Sequence, residues 1–419
     1  MVATLRWIAD EPKNHASPDC ICVRRWQTTA RPSSCLLLGE MFLRQFPMRC
    51  LILLVLFTAT VSAESLPRVQ ISHTTEGLRG VSAVSREVAW ASGTHGTFLR
   101  TTDGGRSWTP GHVPDAGALD FRAVVAFSAD EAFLMSAGPG EQSRIYHTGD
   151  GGQHWQLQFT NASPKGFFDS MVFWDSKHGV VLGDPISDES GQLKFEVLLT
   201  DDGQSWHIVP PSQLPAALEG EGAFAASNSC IAIIPSATDS NIWFATGGKV
   251  SRIFHSPDRG QSWQVFDTPM IHGPESAGIF SIAFRDAAHG VIAGGDYKHP
   301  DDDGPNLAFT ADGGKTWTLS ALHHLAYFSA VAYDRRVNEV AIRESAARFG
   351  KDEKARVKPI PPERIFIVGQ DFVFDFRPPN NPKRIDGKKR LGISFNAVSA
   401  YPEGGALIVG PKGSIAFIP

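Results

Sequence analysis

The chain has 419 residues, 39 Lys and Arg against 44 Asp and Glu, 42% hydrophobic residues, and 40 Gly with 28 Pro. A formal net charge of −5 excludes the basic excess of a nucleic-acid binder, and the length allows one large domain or two of medium size. Four of the five cysteines precede residue 51, so Cys230 stands alone in the body and no internal disulfide can hold it together.

Residues 1–47 are polar, contain Pro and Cys, and predict no packed element. The run MRCLILLVLFTATVSAES at 48–65 has one Arg, an apolar stretch at 51–61, and then Val61, Ser62 and Ala63. That order is the signature of a secretory signal, and the apolar stretch is too short to cross a bilayer. Translation is therefore expected to begin at Met48 or Met41. This makes 1–47 an unstructured upstream extension, 48–63 a signal peptide, and 66–419 an exported chain, periplasmic or secreted, without stable membrane insertion.

Beyond residue 66 one unit recurs. Between 122 and 159 it reads RAVVAF, SADE, AFLMSA, GPGEQS, RIYHTG, DGG and HWQLQF, which is four short apolar strands joined by turn residues. Such a sheet has two apolar faces and needs neighbours on both. Inner strands are predicted at 80–84, 123–127, 170–173, 222–226, 281–284, 329–333 and 397–400. The last copy ends after three strands, while RVQIS at 68–72 is a spare strand near the start. The predicted fold is all-β, a seven-bladed propeller of four-stranded antiparallel blades closed by the strand at 68–72.

A short box sits between the third and fourth strands of five copies: TTDGGRSW at 101–108, TGDGGQHW at 148–155, LTDDGQSW at 199–206, SPDRGQSW at 256–263 and TADGGKTW at 310–317. Asp103, Asp150, Asp201, Asp258 and Asp312 are taken as the box carboxylates, 47 to 57 residues apart, with Leu199 replacing the hydroxyl residue in the third box. Each Asp is expected to accept hydrogen bonds within its turn, Gly to supply positive φ, and Trp108, Trp155, Trp206, Trp263 and Trp317 to pack on the blade. These are structural tasks, because five copies around a ring cannot share one active site.

The box resembles the Asp-box (BNR) repeat of sialidase-like propellers. FWDSKHGVVLGDP at 173–185, EGEGAFAASN at 219–228 and SAGIFSIAFRDAAHGVIAGGDY at 276–297 are similar to the photosystem II stability/assembly-factor-like group of secreted propellers. That resemblance implies a binding or assembly scaffold.

In a propeller, the loops entering the inner strands and the loops between second and third strands share one face, opposite the boxes. The residues before each inner strand are Arg79, Arg122, Asp169, Glu221, an ambiguous stretch at 278–281, Phe328 or Ser329, and Asn396. Asp184, Asp296 and Tyr297, with His95, Lys249 and Lys412, lie in the neighbouring loops. Arg79, Arg122, Asp169, Glu221, Asp184, Asp296 and Tyr297 are the candidate ligand-binding residues. The acidic loop at 294–306 lacks the spacing of an EF-hand and is read as solvated, so no metal is assigned. No dinucleotide fingerprint or haem-attachment motif is present, and no cofactor is expected.

Two functions follow. The first is a non-catalytic, exported scaffold that binds a protein or peptide as a monomer. The second is a glycoside hydrolase acting on a glycan through Glu221, Asp184 and Asp169. Sialidase-like chemistry needs three converging arginines, and only Arg79 and Arg122 occupy inner-ring positions, so the scaffold is the preferred reading.

Overall fold

Short alternating apolar runs cut by Ser, Asp and Gly turns leave the backbone one economical solution, the antiparallel meander. The computed structural model describes residues 67–234, 239–322, 325–335, 364–376, 383–386 and 392–419. The expected extension at 1–47 and signal at 48–63 lie outside the described residues. So do the charged insertion at 343–363 and, apart from 383–386, the basic link at 377–390.

Seven four-stranded blades form the molecule. Their inner strands are Leu78–Ala83, Asp120–Ala126, Phe168–Phe173, Ile231–Ala232, Ala277–Phe284, Phe328–Tyr333 and Ala397–Ala400. Blade one continues through Ala89–Gly93, Thr97–Thr101 and Thr109–His112, and the others repeat this order. Blade seven takes its outer strand from the other end of the chain: Arg68 pairs with Phe417, Val69 with Ala416 and Gln70 with Ile415. No helix among the described residues is long and apolar enough to cross a membrane.

The core lies between blades. Trp90 and Phe98 of blade one pack with Phe121, Val124, Leu134 and Tyr146 of blade two. Leu78, Ala91 and Leu99 of blade one also pack with Leu407, Val409 and Ile415 of blade seven. Burial of each such Leu or Phe contributes about 1.5–3 kcal/mol, which a solitary blade would forgo on both faces.

Polar staples join the same interfaces. Inner-strand serines accept a backbone N–H from the next blade: Ser399 from Ala83 at 3.1 Å, Ser82 from Ala126 at 3.0 Å and Ser281 from Val331 at 2.8 Å. At the outer edge, Gln70 accepts the indole N–H of Trp108 at 2.9 Å and donates to the carbonyl of Gly104 at 3.3 Å. Gln158 does the same for Trp206 and Gly203 of blade three, at 3.0 and 2.9 Å.

The boxes act within their turns as expected. Asp103 Oδ1 accepts the Ser107 N–H at 2.9 Å and the Thr101 hydroxyl at 2.9 Å, while the Thr101 hydroxyl oxygen receives the Gly105 N–H. The third box corrects the sequence reading. Its carboxylate is Asp202, not Asp201: Asp202 accepts from the Thr200 and Ser205 hydroxyls and from the Gln204 and Ser205 N–H groups. That box is one residue shorter between hydroxyl and Trp206, so matching its Asp by spacing selects the wrong neighbour, and Thr200 rather than Leu199 is the hydroxyl position.

A second correction concerns blade four. Its inner strand is Ile231–Ala232, paired with Trp243 and Phe244, and not the predicted 222–226. Only Glu221 and Gly222 of that region pair, with Gly248 and Gly247, and the chain then leaves the blade.

Two expectations follow. Gln70→Ala strands the Trp108 indole N–H in an inter-blade contact and should destabilise the fold by about 1–3 kcal/mol in urea denaturation, with Gln158→Ala behaving alike. Hydrogen bonds from Ser107, from the His154 N–H and from Thr316 hold the carboxyls of Asp103, Asp150 and Asp312 down at about 2, although burial opposes them, most strongly at Asp312. The unfolded chain takes up protons near pH 4 and the folded chain only near pH 2, so this stabilisation is complete above about pH 4 and lost between about pH 4 and 2. Urea midpoints measured across that window should fall steeply, and less steeply in Asp103→Asn.

Candidate functional site

Five inner strands break register at the same place. Pairing slips between Leu78 and Gly80, Phe121 and Ala123, Phe168 and Ser170, Ile279 and Ser281, and Phe328 and Ala330. Each slip leaves one residue unopposed: Arg79, Arg122, Asp169, Phe280 and Ser329. A bulged residue has no cross-strand neighbour and can turn out of the alternation, here toward the axis. Arg79, Arg122 and Asp169 were legible from sequence, and the bulges select Phe280 from 278–281 and Ser329 over Phe328. Asn396 serves closure instead, donating to the Leu78 carbonyl across blades seven and one at 2.7 Å.

Arg79 and Arg122 meet at a residue that sequence reasoning missed. Asp120 Oδ2 accepts from Arg122 Nε at 2.9 Å and lies 4.0 Å from Arg79 Nε, so one carboxylate serves two guanidiniums. The Asp-Phe-Arg order at the strand start was the available signal. Arg79 Nε has no hydrogen-bond partner among the described residues, and burial lowers the pKa of its guanidinium.

The segment at 222–229, missing from blade four, occupies the centre. Arg122 of blade two donates to the Ala225 carbonyl at 2.7 Å. Ser227 donates to the Ser329 carbonyl of blade six at 2.7 Å. Asn228 Oδ1 accepts from the Met171 N–H and the Ser170 hydroxyl of blade three at 2.7 and 3.1 Å. Phe224 stacks on Phe280 of blade five with ring centroids 3.9 Å apart. Blades two and six are separated by at least two others either way round, so only a segment crossing the axis reaches both. Apart from Phe224 its side chains are small, and Asn228 at φ 58° turns the chain back toward the blade-four strand.

Glu221 anchors the entrance to this segment. Its carboxylate is fully buried, accepts from Arg252 Nε at 2.9 Å and also from Arg252 Nη2, and takes the Thr246 hydroxyl at 2.7 Å and the Leu218 N–H at 2.8 Å. It is therefore turned away from the face on which the sequence placed it.

Asp169 lies beneath the segment, 1% exposed, and neither carboxylate oxygen has a hydrogen-bond partner among the described residues. Burial, and next the charge of Asp184, push its pKa well above the ordinary carboxylate range, while Arg122 pulls the other way and Glu196 adds to the rise. Asp184, half-buried at the rim, accepts the Ala223 N–H at 3.0 Å. Burial raises its pKa to about 6 against the pull of that hydrogen bond. Asp296 is engaged locally, with His299 at 3.0 Å and the Lys298 N–H at 2.9 Å. Burial disfavours its ionisation, but these bonds outweigh it and hold the carboxyl below the ordinary range. Tyr297 and Tyr327 stand edge-on to Phe280 at 6.1 and 4.9 Å, forming an aromatic wall beside Arg79.

The face thus offers two guanidiniums sharing one carboxylate, bordered by aromatic rings. That arrangement suits a carboxylate held next to an apolar side chain. The candidate catalytic trio is not assembled: Glu221 is sealed by Arg252, Asp169 is covered, and Asp184 alone reaches the rim. Among the described residues no group of three or more His, Cys, Asp or Glu is placed to hold a metal ion.

Asp169→Asn tests the burial. At pH 7 the unfolded Asp is ionised while the folded site resists ionisation, under the influence of Asp184, Glu196, Cys230 and Arg122. The variant should therefore raise the urea midpoint at pH 7, and the gain should vanish near about pH 4, where both states carry the proton. An equal gain at both pH values would contradict this account.

The family model described as photosynthesis system II assembly factor YCF48 matches residues 59–166. The solved structure titled "YCF48 bound to D1 peptide" is 15% identical with a TM-score of 0.55, covering 84% of this chain and 97% of that one. The WD40 propeller domain of Doa1 is 11% identical with a TM-score of 0.53, covering 85% and 97%. Identities this low show the fold alone. No curated protein sequence matches the chain. The family match over the first two blades and the common propeller architecture together support an assembly-factor-like propeller.

Proposed function

We propose that this assembly-factor-like propeller is an exported, non-catalytic scaffold that holds a protein or peptide partner on its central face. The observation carrying the proposal is the pair Arg79 and Arg122, brought from consecutive blades by equivalent bulges onto the single carboxylate of Asp120. The pair keeps a net positive charge, and the adjoining Phe280, Tyr297 and Tyr327 supply apolar surface. An acidic stretch or carboxyl terminus with a neighbouring apolar side chain matches both. A propeller of the same fold, titled YCF48, is described as bound to a D1 peptide, which supports a peptide as the class of partner. The apolar run at 51–61 and the small residues after it support export.

Glycoside hydrolysis fits less well. It requires two carboxylates facing one bond, and Glu221 is enclosed in its ion pair while Asp169 is covered by the 222–229 segment.

The test is fluorescence anisotropy with a labelled acidic decapeptide bearing a free carboxyl terminus. The native protein should bind it, and Arg79→Ala should weaken binding by about tenfold or more with little change in melting temperature. Binding insensitive to Arg79→Ala would reject this face. Turnover of a chromogenic glycoside that disappears in Asp184→Asn would favour the hydrolase instead.

A further inference from the structure

Partner binding at the arginine pair, as just proposed, meets an obstacle inside the molecule. Arg122 is already engaged: Nε is given to Asp120 and Nη1 to the Ala225 carbonyl, 103 residues further along the chain. The Ala225 carbonyl thus sits where an incoming acceptor would bind the second guanidinium. The Phe224 ring on Phe280 likewise occupies aromatic surface suited to a partner's apolar side chain. Residues 222–229 therefore reproduce, in cis, the two contacts that the face offers to a ligand.

We infer that 222–229 is an internal pseudo-ligand, a removable plug that a partner's carboxylate displaces from Arg122. This inference rests on the reading of the face as a peptide site and specifies how that site is regulated.

Three features distinguish the plug from an ordinary packed strand. It belongs to no sheet beyond Gly222, and its hold on blades two, three and six consists of a few isolated hydrogen bonds. Apart from Phe224 and Asn228 its residues are Gly, Ala or Ser, so lifting it uncovers little apolar area. It also covers the unpartnered carboxylate of Asp169, a group that gains hydration when the plug leaves. Both ends are tethered, by Glu221 to Arg252 and by Ile231 in the blade-four strand, so the segment can rise as a loop without unravelling the blade.

The test uses the full chain and a double variant, Ser227→Ala with Asn228→Gly. This removes the contacts to blades six and three while retaining a residue that tolerates positive φ. Hydrogen exchange of the backbone amides at 223–229 should quicken at least tenfold in the variant, with the inner strand at 123–126 unchanged. Affinity for the acidic decapeptide should rise several-fold in the variant, and the peptide should itself accelerate exchange at 223–229 in the native protein. Faster exchange without tighter binding, or peptide binding that protects 223–229, would overturn the plug as a competitor. If neither protein binds the peptide, the face itself is wrong and the inference falls with it. If exchange at 223–229 is no faster in the variant, those contacts do not hold the plug and the inference is rejected on that ground alone.

Discussion

Ring closure is the constraint on which the rest of this structure depends. A four-stranded blade is apolar on both faces, so no blade is satisfied until it has two neighbours, and the seventh has two only when it meets the first. The chain accomplishes this by pairing Arg68–Gln70 with the strand Ser414–Ile418, so the covalent ends of the propeller are tied in one sheet. The same junction carries additional fastening. Ser399 and Asn396 of blade seven hold the inner strand of blade one, while Gln70 grips Trp108 at the outer edge. Closure is thus secured at the inner and outer radii, and slippage of the spare strand would break several contacts together.

Closure also separates the two ends of the molecule. The boxes finish the turns between third and fourth strands, and their hydrogen bonds stay within each turn or reach the adjacent blade. Nothing about them converges. At the opposite end the bulges place one side chain per blade toward a common axis, so residues remote in sequence become neighbours: Arg79, Arg122 and Asp120 on one side, and Phe280, Tyr297 and Tyr327 on the other. Small irregularities in otherwise regular strands create the candidate site.

Blade four shows how that centre is filled. A regular inner strand at 222–226 would have left the axis to the bulged side chains alone. Instead Glu221, fixed by Arg252 and Thr246, directs the chain inward, and Asn228 in a left-handed conformation brings it back to Ile231. The carboxylate that looked catalytic in sequence is a foundation for the central segment. The same segment explains why Asp169 is covered and why half of the arginine pair is occupied.

How much of this could be read beforehand divides along physical lines. Architecture was legible because it is repetitive: the boxes, the strand-and-turn rhythm and the spare strand at 68–72 are local patterns whose only common solution is a closed ring of blades. The inner-ring positions Arg79, Arg122 and Asp169 followed from counting within that repeat. Where the repeat deviated, counting failed. The shorter third box exchanged Asp201 for Asp202, and the Gly-Ala-Phe-Ala-Ala run passed for a strand because its alternation satisfies a sheet as well as an axial crossing. Partnerships were decided only by the folded ring. Glu221 with Arg252, Asp120 with two arginines, and Arg122 with the Ala225 carbonyl join residues up to 103 positions apart, and no local pattern encodes which charged side chain lies nearest across a closed circle.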